Sequence, residues 1–468
     1  MSTTQRRALR GVVRVLPVLG VLLAAIGVGP AFAERAGSKD PKQGPDLAAT
    51  RAMTRAVNRD PAEHAPTVGA TYPDGITQSP LTPTVAARLR EIASHGDLNA
   101  NVFSKIGASA TVNRNFMRCF GGPNVDLAGR DHLAETVAFF DGGRPDPYRR
   151  QSLSATEGWH AGRAVWGSPA PLAEEVRDAD PRFAVVMYGT NDIELNRPLM
   201  YAELMTRLTR MLEIRGVIPI LTTIMPRDDD PEADRVVDLY NAVVRGIAQR
   251  RRLPLIDYHR ELAALPDHGL AGDRLHPNVH FVDGDPHGCD FTAEGLTHGY
   301  NVRNLITMEA LHRMRTVVLE GEAPPDEPAP APEGDGSIGS PIEMGALPFS
   351  HAADTSRSPH RLLNAYPGCD AEQDEGGAEY VYHLHLDEPA EIQAMVVDSG
   401  SVDVDLHHAQ LGRRGVECAH RGDAELELTL DAGDHYFVVD TFVDHDGDEH
   451  AGEYLFVAAR TDRPSDGA

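Results

Sequence analysis

Beyond about residue 97 the chain alternates short, unbroken apolar runs with longer amphipathic stretches. The segments N-V-F-S-K-I (101–106), Arg182–Tyr188, Val217–Ile224 and Leu253–Asp257 read as strands. Between them, Tyr201–Arg215 carries Leu204, Leu208, Met211 and Leu212 at helical spacing and stops at Gly216. Asp234–Arg251 sets Val237, Tyr240, Val244 and Ile247 on one stripe, and a last helix is predicted over Leu305–Leu319. Strands alternating with helices predict a parallel sheet covered on both faces, and a run as apolar as F-A-V-V-M-Y fits a strand buried on both sides. The expected fold of residues 96–319 is therefore a three-layer α/β/α arrangement. Ligands of such sheets bind beyond the carboxyl ends of the strands. That is where V-M-Y breaks into Gly189-Thr190-Asn191-Asp192.

The pattern changes after residue 319. Residues 320–344 open as E-G-E-A-P-P-D-E-P-A-P-A-P-E-G, a Pro/Glu-rich linker expected to be extended and solvated. Within 345–468, Tyr380–Leu386, Glu391–Val397, Ala424–Leu430, His435–Asp440 and Gly452–Ala458 are short strand-like runs set off by turn residues. They predict an all-β sandwich. At the other end, residues 34–95 are rich in Pro, Gly and Thr and read as a flexible leader. Arg6, Arg7, Arg10 and Arg14 precede an apolar stretch closed by Ala31-Phe32-Ala33, the pattern of a signal peptide over residues 1–33. The stretch is short for a membrane span and is interrupted by Pro17 and Pro30, so the mature protein is expected to be secreted or periplasmic.

Composition narrows the possibilities. A length of 468 residues suits two folded units, and a formal net charge of −26 repels phosphates, which argues against a nucleic-acid partner. The four cysteines allow three pairings. The linker separates them two and two, so Cys119–Cys289 and Cys369–Cys418 are the expected bridges, each within one unit. No C-x-x-C occurs to suggest zinc or thioredoxin-like chemistry.

Three stretches carry candidate chemistry. Gly107-Ala108-Ser109 follows a strand and can present a hydroxyl. Gly189-Thr190-Asn191-Asp192 offers an amide that can donate to a developing oxyanion. Asp273-Arg274-Leu275-His276 places a carboxylate where it can hold an imidazole in one tautomer, leaving the other ring nitrogen to take a proton from serine. Singly, each has a plainer explanation: a helix cap, a strand-ending turn, a chance spacing. A second D-x-x-H stands at Asp405-Leu406-His407-His408.

Taken in this order across one domain, the three stretches resemble the GDSL/SGNH hydrolase family, whose blocks read G-D-S, a glycine, G-x-N-D and D-x-x-H. The resemblance spans roughly residues 97–318 and implies a flavodoxin-like parallel sheet. It implies Ser109 as nucleophile, His276 as base and Asp273 as its orienting acid. Asn191 and the N–H groups of Ser109 and Gly158 would form the oxyanion hole, Gly158 within S-A-T-E-G (154–158) being preferred to Gly162. Ala108 stands where the family has aspartate, which puts robust catalysis, not the fold, in question. The implied activity is hydrolysis of a carboxylic ester, of a lipid or an acetylated carbohydrate, with no cofactor or metal. The alternative is a catalytically weak or inactive scaffold that binds surface polysaccharide. His280, Asp283, Asp285 and His287 read as a polar loop at the cleft mouth rather than a metal site, and Arg303 and Asn304 are expected to line the cleft.

The C-terminal unit resembles the pre-peptidase C-terminal type of β-sandwich through A-G-D-H-Y-F-V-V-D (432–440) and G-E-Y-L-F-V (452–457). That resemblance implies an accessory unit that binds a cell surface or polymer. Asp444, Asp446 and Asp448 read as an acidic turn rather than a calcium loop.

Overall fold

The computed structural model describes residues 71–463 apart from 74, 365, 367, 370–373, 399, 413 and 414. The predicted signal peptide and residues 34–70 of the leader lie outside the described residues.

The first layer system is a parallel sheet of β1 (Asn99–Gly107), β2 (Pro181–Met187), β3 (Ile218–Thr222) and β4 (Leu255–Ile256), in that order. Every residue of β2 and β3 is buried, as strands covered on both faces require. On the free side of β1 a single parallel bridge joins Gly107 to Ala155, so the fifth position of a flavodoxin-like sheet is reduced to one contact. The loop 150–160 is too polar and glycine-punctuated to continue as a strand.

Two sets of helices cover the sheet. Pro171–Ala179, Pro198–Glu213 and Val237–Arg251 pack on one another, and Ala134–Asp141 packs on Gly299–Arg313. The last helix begins six residues earlier than the sequence pattern suggests. Asn301, Arg303 and Asn304 interrupt the apolar stripe, yet all three are buried. The leader also differs from expectation. Pro83–Ala93 is a helix capped by the Thr82 hydroxyl, with Val85, Leu89 and Ile92 buried in the common core. Tyr72, also buried, donates its hydroxyl to the Leu253 carbonyl at 2.6 Å. The apolar i, i+4, i+7 spacing of that helix had been masked by the Pro- and Thr-rich composition around it.

Residues 323–332 carry no regular secondary structure and are mostly exposed, but they are not a loose tether. Asp326 accepts the Leu81 N–H at 2.7 Å and pairs with Arg313.

The β-rich region forms two facing sheets. One has the order Phe349–Asp354, Glu453–Arg460, Ala390–Val397, Glu425–Leu430; the other has the order Gly415–Gly422, Val404–Gly412, Gly433–Thr441, Tyr380–Leu386, Ile342–Glu343. Ile392, Ala394, Val396, Tyr454, Phe456 and Ala458 face the sandwich core. The intervening Met395, Val397, Leu455, Val457 and Ala459 belong to the core of the α/β region instead. Alternate side chains of these two strands thus bury into two different cores, which is the period-2 rule applied to both faces. Helix Val237–Arg251 is the surface they meet. A Cβ at Gly246 would overlap the Leu455 side chain, and Arg250 reaches the carbonyls of Val397 and Glu453.

Candidate active site

The first block is shaped by close backbone approach. A Cβ on Gly107 would overlap the Met187 carbonyl oxygen and the Thr111 hydroxyl, so only glycine fits where β1 turns into the short helix Ser109–Val112. Ser109 is the first residue of that helix, where backbone N–H groups have no intrahelical acceptor. Ala108 is buried, and its carbonyl accepts the N–H groups of Thr111 and Val112.

The last block is a tight loop. Leu270 bridges Pro277, and the Ala271 N–H donates to the His276 carbonyl at 2.7 Å. Asp273 Oδ1 accepts the N–H groups of Leu275 and His276 at 3.2 and 3.0 Å, leaving Oδ2 for the imidazole Nδ1 at 2.7 Å. Burial pushes the Asp273 carboxyl up, but the His276 N–H, the His276 ring and the Leu275 N–H together hold it below the usual carboxylate range. His276 Nε2 lies 2.8 Å from Ser109 Oγ. Three residues separated by 167 positions in sequence therefore form one hydrogen-bonded line. The copy at Asp405–His408 does not: it lies on a strand, where positions i and i+3 face opposite ways, and Asp405 pairs with Arg421.

The middle loops are sewn to the first. Gly107 and the 154–156 segment exchange two backbone hydrogen bonds, and Tyr188 donates its hydroxyl to the Ser154 carbonyl at 2.9 Å. Asn191 Nδ2 donates to the Trp159 carbonyl at 3.0 Å, next to Gly158. Gly158 has a φ of +72° and is exposed, whereas Gly162 lies buried against the Trp166 ring, where a Cβ would overlap it. Asp192, the last residue of the G-x-N-D block, is nearly inaccessible. Its oxygens accept the N–H groups of Ala161 and Gly189 at 2.9 and 3.1 Å. Burial pushes this carboxyl up to about 7, against the lowering effect of those backbone donors. Sequence reasoning assigned this position no role beyond a turn.

Ser109, Asp273 and His276 line an open cleft of about 750 Å³, with Asn113, Asn115, Glu157 and Phe281 on its walls. Arg303 and Asn304 are not among its lining residues. Arg303 is buried over the Phe116 ring, 3.8 Å from its centroid, and donates to the Ala110 carbonyl beneath Ser109 at 2.7 Å. Asn304 donates to the Asn115 and Gly288 carbonyls at 2.8 and 2.9 Å and accepts the Met117 N–H. It thereby ties together the two loops that the Cys119–Cys289 bridge joins, with their Cα atoms 5.6 Å apart. The second bridge pairs Cys369 with Cys418. His280 bonds Asp290 at 2.8 Å, Asp283 and Asp285 lie on an exposed two-stranded turn, and Asp444 caps its own turn through the N–H groups of Asp446 and Asp448. Among the described residues, no group of three or more His, Cys, Asp or Glu side chains is placed to hold a metal ion.

Ser109, His276 and Asp273 thus stand in one hydrogen-bonded line just beyond the carboxyl end of β1 in the parallel sheet. Residues 136–280 match the model of the GDSL-like Lipase/Acylhydrolase family, and this part of the chain is a domain of that kind. The matched stretch holds Gly158, Asn191, Asp273 and His276; Ser109 precedes it. Among curated proteins none matches the sequence. Among solved structures, the chain is similar to an acetylxylan esterase from Geobacillus stearothermophilus at 18% identity, over 45% of this chain and 93% of that one, with a TM-score of 0.30. It is also similar to a two-domain esterase active on acetylated mannans, at 13% identity, over 80% of this chain and 94% of the other, with a TM-score of 0.28. Among the described residues no helix is long and apolar enough to cross a membrane.

Proposed function

We propose that the protein is an exported serine esterase in which Ser109, His276 and Asp273 form the triad and Asn191, with the N–H groups of Ser109 and Gly158, the oxyanion hole. The observation that carries this reading is the His276 ring, bonded through Nε2 to Ser109 Oγ at 2.8 Å and through Nδ1 to Asp273 at 2.7 Å. Ser109 Oγ attacks the ester carbonyl as its proton passes to His276 Nε2. Asp273 keeps Nδ1 protonated and stabilises the imidazolium. The imidazolium then protonates the leaving alcohol, and water, deprotonated by the same nitrogen, releases the acid from the acyl-serine.

The cleft supports a short acyl group on a polar alcohol. Of the residues lining the cleft, only Phe281 is a large apolar side chain exposed to solvent, too little for a long acyl chain. An acetylated carbohydrate is the substrate class that fits best. Export is supported by the two disulfides, which persist in oxidising compartments.

A fluorophosphonate probe and 4-nitrophenyl acetate test the reading. Labelling and turnover lost in Ser109→Ala are expected. Absence of both in the wild-type protein, with tight polysaccharide binding, would point to a scaffold emptied of catalysis by Ala108.

A further inference from the structure

A second cavity, of about 590 Å³, opens beside the catalytic cleft. Asn113, Asn115, Glu157 and Phe281 line both spaces, so the two are continuous. Its wall is cationic, in a chain whose net charge is −26. Some of that charge is already matched: Arg149 pairs with Asp146, and Arg150 with Glu175 and Asp178. The rest is not. Lys105, 8% exposed, has the Tyr148 carbonyl as its hydrogen-bond partner, at 2.8 Å. Burial, and then the neighbouring Arg118 and Arg150, draw the Lys105 ammonium down to about 8. Arg114 and Arg118 are exposed, and no carboxylate pairs with either among the described residues. Three cations thus face one lining carboxylate, Glu157.

Burying an ammonium with no carboxylate in contact is costly, and Arg118 adds repulsion to it. An anion bound among these groups would stabilise the arrangement. The long-range field points the other way, because an acidic protein repels a polyanion. Screening confines that repulsion to roughly 10 Å at moderate salt. A single negative group brought in next to the ester is the ligand that satisfies both conditions. Phe281, 58% exposed on the turn between the cavities, offers a flat apolar edge against which a sugar ring can lie.

Resting on the esterase reading above, we propose that this cavity is an alcohol-side subsite for a carboxylate, so that the preferred substrates are acetylated sugars bearing a single uronate. Lys105 sits at its floor, and Arg114 and Arg118 guard its rim.

The test compares kcat/KM for an acetylated neutral oligosaccharide with that for the same oligosaccharide carrying one uronate. The wild-type protein is expected to favour the uronate at least tenfold at 50 mM salt, through KM, with the preference shrinking at 500 mM. In Arg114→Gln/Arg118→Gln the ratio is expected to fall to near one, and in Arg114→Lys/Arg118→Lys to recover most of it. Equal rates on both sugars in wild type, a ratio untouched by the glutamine substitutions, or a stronger preference for an acetylated glycerol phosphate than for either sugar would overturn the assignment. Failure of 4-nitrophenyl acetate hydrolysis would instead overturn the esterase reading itself.

Discussion

Asp192 accepts the backbone N–H of Ala161 at 2.9 Å from across the cleft-forming loops, and the same carboxylate accepts the N–H of Gly189. One buried side chain thereby clamps the loop that carries Gly158 to the loop that carries Asn191. Asparagine would offer a single acceptor oxygen and leave one of the two N–H groups unpaired, at a cost of about 1–3 kcal/mol. Asp192→Asn is expected to lower kcat on 4-nitrophenyl acetate by roughly 10–100-fold with little change in KM, because a small misplacement of oxyanion donors is felt mainly in the transition state. Unchanged kcat would show that the Asp192 clamp does not position the oxyanion donors.

Asn191→Ala is expected to lower kcat by about 10²–10³ without loss of folding, the usual effect of deleting one oxyanion donor. The readout is steady-state kinetics beside a thermal melt. A decrease in kcat no larger than threefold would mean that the Asn191 amide serves only the Trp159 carbonyl, to which it is bonded.

The buried ionisable groups set a pH profile for stability. Burial raises Asp192 to about 7 and Asp440 to about 9. A raised carboxyl favours the folded state below its unfolded pKa, and this contribution is lost as pH rises through the folded pKa. Burial draws His160, His351 and His408 down to about 4, so their contribution is present above about 6.5 and lost as pH falls toward 4. Between pH 4 and 6.5 the two sets oppose each other. Above 6.5 the carboxyls act alone until about pH 8, where Lys105, drawn down to about 8 by burial, begins to oppose Asp440. The melting temperature is expected to peak near pH 6.5 and to fall toward pH 8, with a shallower fall in Asp440→Asn. A melting temperature that rises over pH 6.5–8 would contradict this.

The Cys119–Cys289 bridge closes a loop of 170 residues, for which chain entropy gives a stabilisation of roughly 5 kcal/mol as an upper figure. Cys119→Ser/Cys289→Ser is expected to lower the melting temperature by several degrees and also to reduce kcat. The bridge holds the segment after Ser109 to the segment after His276, and the Asn304 amide and the short Val125–Asp126/Cys289–Asp290 strand pair would then be left to join them. Stability lost with kcat intact would confine the bridge to a structural part.

Much of the site was legible because its geometry is local. The D-x-x-H spacing puts the Leu275 and His276 N–H groups onto Asp273, and that turn alone aims the ring. The strands of the parallel sheet were legible because burial on both faces leaves unbroken apolar runs. What escaped depended on contacts distant in sequence. Arg303 and Asn304 look like cleft residues in a polar context, but one supports the Ala110 carbonyl and the other joins two loops from inside the core. The docking of the sandwich did leave a trace. Met395-Val396-Val397 and Tyr454–Ala459 are continuously apolar rather than alternating, which marks strands with no solvent face.

Leu455, 1% exposed against Gly246, tests that docking. Leu455→Asp buries an unpaired carboxylate between the two layers. It is expected to split a single cooperative melt into two transitions, with the esterase activity lost in the first. One undivided transition at the wild-type temperature would show that the contact carries no stability.

Because the sheet built from Ala390–Val397 and Glu453–Arg460 buries both of its faces against protein, any ligand of the sandwich would have to meet its far sheet or its loop ends. Proteolysis at the Pro-rich connector would then yield a nicked particle rather than two separate fragments, and the pair would travel and denature as one body.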